Sequence, residues 1–165
     1  MSVNWKELSG WASIQGQWLR RRYFDAEMLG HVAEQIRKSE QNHSGELVVA
    51  IEAVLPAHEA DSGQRALEVF GRLRVWDTPL NSGVLLYLAL GQRRIHIIAD
   101  RGIQADPAQW AQICQQLEQN LASREYLSGL LSAVDAIEAV LQKGAPVQPQ
   151  GSAAVNALPD EPVLL

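Results

Sequence analysis

The chain has 165 residues, the size of one domain large enough to bury a real core. Hydrophobic residues make up 47% of it and charged residues 20%, so the composition is globular rather than disordered. The net charge of −5 argues against a general nucleic-acid-binding protein, which would carry a strong basic excess.

Residues 1–24 are predicted to form a tryptophan-rich helical leader. Trp5, Trp11 and Trp18 fall near one helical face, and three arginines follow at positions 20–22. A helix of this kind could make a peripheral contact with a membrane surface, or it could pack its tryptophan face on the domain. We favour packing, because an acidic domain without a second anchor is a poor membrane binder.

The next segments alternate between helix and strand. Asp25 can cap a helix that runs to about residue 40. Residues 46–55 then predict a strand that is apolar on both faces, as is typical of a strand buried between two layers. A second helix opens at Asp61 or Ser62, and its apolar side chains recur at helical spacing.

Two further strands are predicted at residues 83–90 and 93–99. Gly91-Gln92 stands between them, as a type II′ hairpin turn with glycine first would require. The strand before the second helix should lie parallel to residues 83–90 through a right-handed crossover. The sequence therefore predicts a small mixed sheet with a β-α-β-β core.

The last predicted elements are two helices and a tail. Asp106 can cap a helix with Pro107 at the tolerated first position, and a final helix ends near Leu141. The domain is accordingly assigned to residues 25–143. Residues 144–165 are rich in proline and small residues and show no period, so a disordered tail is predicted.

Neither a disulfide nor a membrane span is expected. Cys114 is the single cysteine, and its helical spacing from Trp110 and Leu117 favours a buried structural thiol over a nucleophile. The first residues lack the apolar run of a signal peptide, and no stretch reaches the roughly 18 apolar residues of a spanning helix. These features predict a soluble, cytoplasmic protein.

Polar side chains are predicted to gather at one end of the sheet. Asp77 and Asn81 precede the strand at residues 83–90, and Asp100 and Arg101 follow its antiparallel neighbour. Since the first strand is parallel to the second, its first residue, Glu46, should lie at the same end. Four segments that are distant in sequence would then meet there.

Two chemistries fit this cluster. Carboxylate and amide oxygens suit Ca²⁺ or Mg²⁺, which makes Asp77, Asn81, Asp100 and Glu46 candidate ligands. Arg101 suits a phosphate, so Asp77, Asp100 and Arg101 are candidate catalytic residues of a metal-assisted phosphomonoesterase. The structural alternative stays open: Asp77 could cap a turn, residues 81–83 could be turn chemistry alone, and Asp100 could form an ion pair with Arg101. For Glu46, as for the turn histidine His43, a structural role is favoured.

Six short motifs follow one another along the chain, at residues 43–49 (HSGELVV), 81–88 (NSGVLLYL), 94–98 (RIHII), 100–103 (DRGI), 126–130 (YLSGL) and 133–137 (AVDAI). In their order and spacing together, these motifs resemble the TPM domain family over about 100 residues. The family includes thylakoid-lumen proteins linked to photosystem repair, a modulator of nicotinic receptors and many bacterial proteins.

The resemblance implies an α/β fold, a three-layer α/β/α sandwich around the mixed sheet with flanking N- and C-terminal helices. Some family members are described as binding divalent cations, and plant members as weak acid phosphatases. The usual form is exported and membrane-tethered, whereas this chain looks like a soluble bacterial branch. The function expected is an accessory domain that binds a protein partner, with a divalent cation at the Asp77, Asn81, Asp100 and Arg101 cluster. The alternative is a weak metal-dependent acid phosphatase using the same residues.

Overall fold

The computed structural model describes residues 11–151 and 155–165, the first two of them by backbone alone. Within these residues the chain forms five α-helices, one short 3₁₀ helix and four strands. In chain order they are α1 (Trp11–Tyr23), α2 (Ala26–Ser39), the 3₁₀ helix (Glu40–Asn42), β1 (Glu46–Glu52), α3 (Ser62–Arg72), β2 (Gly83–Ala89), β3 (Arg94–Ala99), α4 (Pro107–Ala122), α5 (Tyr126–Gly144) and β4 (Val163–Leu164).

The strands form one mixed sheet in the order β3-β2-β1-β4. β1 runs parallel to β2 with Glu46 opposite Gly83, and β3 returns antiparallel with Ala99 opposite Val84. This confirms the predicted β-α-β-β core. The predicted type II′ turn was wrong. Such a turn needs a positive φ at Gly91, whereas the positive φ, 54°, is at Arg93, whose amide donates to Leu90 O.

Helices cover both faces of the sheet, which confirms the three-layer sandwich. Alternate residues of each strand point to opposite faces. One face carries Leu47, Val49 and Ile51 into a core shared with α2, α4 and α5, and the other carries Val48 and Ala50 toward α3. β1 and β2 are buried along their whole length, as strands between two helical layers should be.

Aspartates begin three of the helices as the sequence predicted. The side chains of Asp25 and Asp61 accept hydrogen bonds from the amides of Met28 and Gln64. Asp106 begins α4 with a full capping box and proline in the first turn. Each cap satisfies an amide that has no partner inside its helix.

The prediction of a disordered tail was wrong for residues 155–165. β4 pairs in parallel with the outer edge of β1, and the amide of Leu165 donates to Ile51 O at 2.9 Å. Leu158 and Val163 pack against the core on the α3 side of the sheet. The segment therefore occupies an edge that β1 would otherwise leave unpaired.

The leader contributes a docked helix, but its tryptophans do not all face the domain. Trp18 is 57% exposed, whereas Leu19 packs against the core. At Gly16 the backbone of α1 lies against that of Ala53, where an added Cβ would lie 1.9 Å from Ala53 O. Trp5 and the side chain of Trp11 lie outside the described residues, so their predicted packing is untested. No helix in the described ranges is long and apolar enough to cross a membrane.

Candidate functional site

The two loops predicted to converge do so in the structure. Residues 74–82 lead into β2 and residues 100–103 leave β3, and we call them together the loop-pair site. The amide of Gly102 donates to Asn81 O at 2.8 Å, and that of Asp100 donates to Gly83 O at 2.9 Å. A Cβ at Gly102 would lie 2.4 Å from Asn81 O, so only glycine permits this approach.

The loop before β2 is held by its own polar groups. Arg74 and Asn81 both adopt left-handed backbone conformations, at φ 55° and 52°. Asparagine tolerates this region better than most residues. The hydroxyl of Thr78 accepts from the amide of Ser82 at 2.8 Å, and the hydroxyl of Ser82 donates to Ser44 O, which joins the loop to the start of β1.

Asp77 and its neighbour Trp76 lie on the solvent side of this loop. The carboxylate of Asp77 is about half exposed and forms an ion pair with Arg74 at 2.7 Å. The guanidinium of Arg74 also lies 5.7 Å from the centre of the Trp76 ring, which is 47% exposed. The structural alternative for Asp77 was a turn cap; in the structure its carboxylate instead forms an ion pair with Arg74.

Asp100 has an unusual environment in the second loop. Its Oδ1 accepts from the backbone amide of Arg101 at 2.7 Å, a local bond that shapes the turn. Its Oδ2 is buried and has no hydrogen-bond partner among the residues that the structure describes. Arg101 is exposed, and its Nη2 donates a long 3.4 Å hydrogen bond to Asn81 Oδ1. The site therefore presents side-chain oxygens of Asp100 and Asn81 beside the exposed guanidinium of Arg101.

Glu46 points away from these residues toward the C-terminal segment. Its Oε1 accepts from the amide of Ala157 at 2.9 Å, while its Oε2 is buried and has no hydrogen-bond partner within the described ranges. Burial raises the pKa of Glu46, and the charge of Asp160 adds to the effect. Among the residues that the structure describes, no group of three or more His, Cys, Asp or Glu side chains is arranged to hold a metal ion.

An acidic cluster that the sequence reasoning missed lies at this edge of β1. The carboxylate of Glu40 accepts a hydrogen bond from the amide of Leu47 at 2.8 Å. Burial raises the pKa of Glu40 to about 9, and smaller contributions come from the charges of Asp160, Glu138 and Glu46. The burial of Glu138 could have been inferred from the sequence, because Glu138 lies four residues after Val134 on the apolar face of α5. Asp160 had no such signal, because the tail shows no period.

His43 takes the structural role that the sequence favoured. Its Nδ1 accepts from the amide of Gly45 at 3.0 Å, which caps the turn into β1. Because Nδ1 accepts, Nε2 carries the hydrogen, which it donates to Glu138. Both side chains are only 3% exposed. The buried pair thus ties α5 to the turn before β1.

Two other titratable features are structural. Burial raises the pKa of the Cys114 thiol to about 11, which agrees with the inert thiol predicted for it. On the α3 side, Glu52 receives bonds from Arg65 Nε and Nη2 at 3.0 and 2.9 Å and from the Tyr87 hydroxyl at 2.5 Å. This network fixes α3 against β1 and β2.

The chain was compared with known families and structures. The model of the TPM domain family matches residues 21–140. No curated protein matches the chain. The NMR structure of the BA42 protein from the psychrophilic bacterium Bizionia argentinensis is similar, with a TM-score of 0.72 and 26% identity over 85% of this chain and 94% of that one. With most of its length matched by the family model and with the expected fold in place, the chain belongs to the TPM domain family.

Proposed function

We propose that this TPM domain is an accessory domain that binds a protein partner at the loop-pair site. A divalent cation, Ca²⁺ or Mg²⁺, would be held there by Asp100 and Asn81. Asp77 could join them by exchanging its ion pair with Arg74 for the ion. The ion would supply positive charge that a carboxylate of the partner can share.

The proposed cation rests on Oδ2 of Asp100, which is buried and has no hydrogen-bond partner in the described part of the chain. A buried polar atom without a partner costs roughly 1–3 kcal/mol, and a charged one more, so such atoms usually mark an absent donor or ion. Asn81 Oδ1 accepts from Nη2 of Arg101, the residue that follows Asp100. Both atoms are hard oxygen ligands, and solvent can complete the coordination that these ions accept.

The support for a protein partner is the exposed surface of the same loops. Trp76 is 47% exposed beside Arg74, and Arg101 is exposed on the second loop. Tryptophan and arginine are the residue types that most often dominate binding energy in protein interfaces. An exposed tryptophan among charged neighbours suits an anchor that a partner's pocket would enclose.

The cation is tested by thermal unfolding with and without millimolar Ca²⁺ or Mg²⁺. An ion present at about 100 times its Kd adds about 2.7 kcal/mol, which raises the Tm of a domain of this size by roughly 5–10 °C. Asp100→Asn should abolish the increase. Glu27→Gln is the matched control, because Glu27 is exposed on α2 and its carboxylate has no partner in the described part of the chain. No increase for the wild type would overturn the cation.

The alternative of a weak metal-dependent acid phosphatase stays a prediction. It would use the same ion to activate a water and Arg101 to hold the phosphate. Asp77, Asp100 and Arg101 would be its catalytic residues.

A further inference from the structure

A pocket of about 320 Å³ opens at the end of the sheet opposite the loop-pair site. Its floor is apolar and includes Leu88 and Leu90 at the end of β2 and Leu121 of α4. Its volume lies at the lower end of the range for small-molecule sites. Neither the proposed cation nor the proposed partner uses this pocket.

Aromatic rings of α1 and α5 form one wall of this pocket. Tyr23 stacks on Tyr126 with ring centres 4.2 Å apart, and Trp18 meets Tyr23 edge to face at 5.7 Å. Trp18 is 57% exposed. The wall therefore leaves flat apolar surface uncovered beside an apolar floor, where a ring or a short hydrocarbon chain can stack.

The rim of this pocket is positively charged. Arg93, Arg94 and Arg124 line it, opposed by a single acid, Glu118. Within the described residues none of the three guanidinium groups makes a hydrogen bond or an ion pair. This local excess of positive charge stands out on a chain whose net charge is −5. Guanidinium groups beside a partly apolar pocket are suited to carboxylate, sulfonate or phosphate.

Two of these arginines are held by tight turns. Arg93 is the last residue of the turn between β2 and β3, and Arg124 lies between α4 and α5; their φ values are 54° and 64°. Their amides donate to Leu90 O at 3.2 Å and to Leu121 O at 3.0 Å. These bonds anchor the backbone of both arginines beside two of the leucines that line the pocket.

We propose that this pocket binds a small organic anion that has a flat or short hydrocarbon body and one carboxylate, sulfonate or phosphate group. The body lies on the leucines and against Trp18, and the anionic group meets Arg93 and Arg124 at the rim. Charge complementarity and the aromatic wall select this class over neutral or cationic molecules of the same size.

The full chain is titrated with naphthalene-1-sulfonate, followed by calorimetry and by amide chemical shifts in ¹⁵N-labelled protein. The neutral 1-naphthalenemethanol is the matched ligand without charge. We expect saturable binding of the sulfonate with a Kd below about 1 mM, shifts at Leu90, Leu121 and Arg124, and much weaker binding of the alcohol.

Variants separate the charge from the apolar wall. Arg93→Gln and Arg124→Gln should each weaken sulfonate binding about fivefold, or about 1 kcal/mol, and the double variant more than either. Trp18→Ala should weaken sulfonate and alcohol alike. Arg72→Gln is the control, because Arg72 is exposed on α3 in the other helical layer. These side chains are exposed, so each variant is expected to keep the Tm of the wild type.

Four results would overturn the proposal. One is the absence of saturable sulfonate binding by the full chain. Another is equal binding of the sulfonate and the alcohol, which would leave the arginines without a role. The third is an Arg72→Gln loss as large as that of Arg124→Gln, which would indicate non-specific attraction. Binding to anionic vesicles without binding of the free sulfonate would count the same way, as a membrane surface rather than a pocket.

Discussion

Removing Arg65 alone should destabilise the protein more than removing its charge together with that of Glu52. The side chains of both residues are 5% exposed, and two bonds of 3.0 and 2.9 Å join them. Tyr87 donates to the same carboxylate at 2.5 Å. Arg65→Met would leave Glu52 as a buried carboxylate whose remaining donor is the neutral Tyr87 hydroxyl. It would also remove the ion pair between Arg65 and Glu68 at the surface.

The magnitude follows from this burial. Deleting one partner of a buried ion pair typically costs about 3–5 kcal/mol, because the remaining charge is uncompensated. Glu52→Gln with Arg65→Met removes both charges, while the amide oxygen still accepts from Tyr87. The double variant should therefore lose only about 1–2 kcal/mol. The two substitutions should be coupled by at least about 2 kcal/mol.

Urea unfolding at neutral pH measures the free energies, provided that the slope against denaturant stays constant among variants. Arg72→Gln, at an exposed position of the same helix, should stay within about 0.5 kcal/mol of the wild type. Equal losses for Arg65→Met and for the double variant would refute the reasoning, because the ion pair would then contribute nothing beyond the volume of its side chains.

Three further predictions concern the tail, the acidic cluster and the chemistry. Deleting residues 155–165 should lower the free energy of unfolding by more than about 1 kcal/mol in urea, because Glu46 loses its backbone donor and β1 its edge partner; a loss under about 0.5 kcal/mol would show that the tail does not dock. The pKa of Glu40 is about 9 in the fold, above its ordinary 4.5, so its contribution to stability is full below about 4.5 and declines as the pH rises toward 9. Urea unfolding across that window should give a flatter profile for Glu40→Gln, and parallel profiles would contradict the assignment. Turnover of a generic phosphomonoester with Mg²⁺ should be slow or absent, and turnover that survives Asp77→Asn with Asp100→Asn would come from a contaminant.

The central part of the fold could be predicted because its signals are local. Three helix starts could be predicted from their N-cap aspartates, whose side chains accept from amides two or three residues later: Asp25, Asp61 and Asp106. The apolar runs of β1 and β2 indicate burial on two faces without any knowledge of their neighbours. Strand direction then placed Asn81 and Asp100 at one end of the sheet.

The parts that could not be predicted depend on distant contacts. β4 has two residues, too few for any period, and the bond from Ala157 to Glu46 spans 111 positions. The chain near Asp160 therefore gave no sign that it would cover an edge. Nor does an exposed arginine such as Arg124 reveal by itself that three leucines lie beneath it.

The close approach at Gly16 limits how far the protein can be truncated for expression. The family match runs from residue 21 to residue 140, so it excludes most of α1 and the whole C-terminal strand. Yet the backbone of α1 touches that of Ala53 at Gly16, and Arg20 donates to Leu165 O, so the two excluded flanks meet each other. A fragment trimmed to the match would lose Trp18 from the pocket and uncover the edge of β1. The range matched by the family model, residues 21–140, is therefore shorter than the range of residues that pack together in the structure.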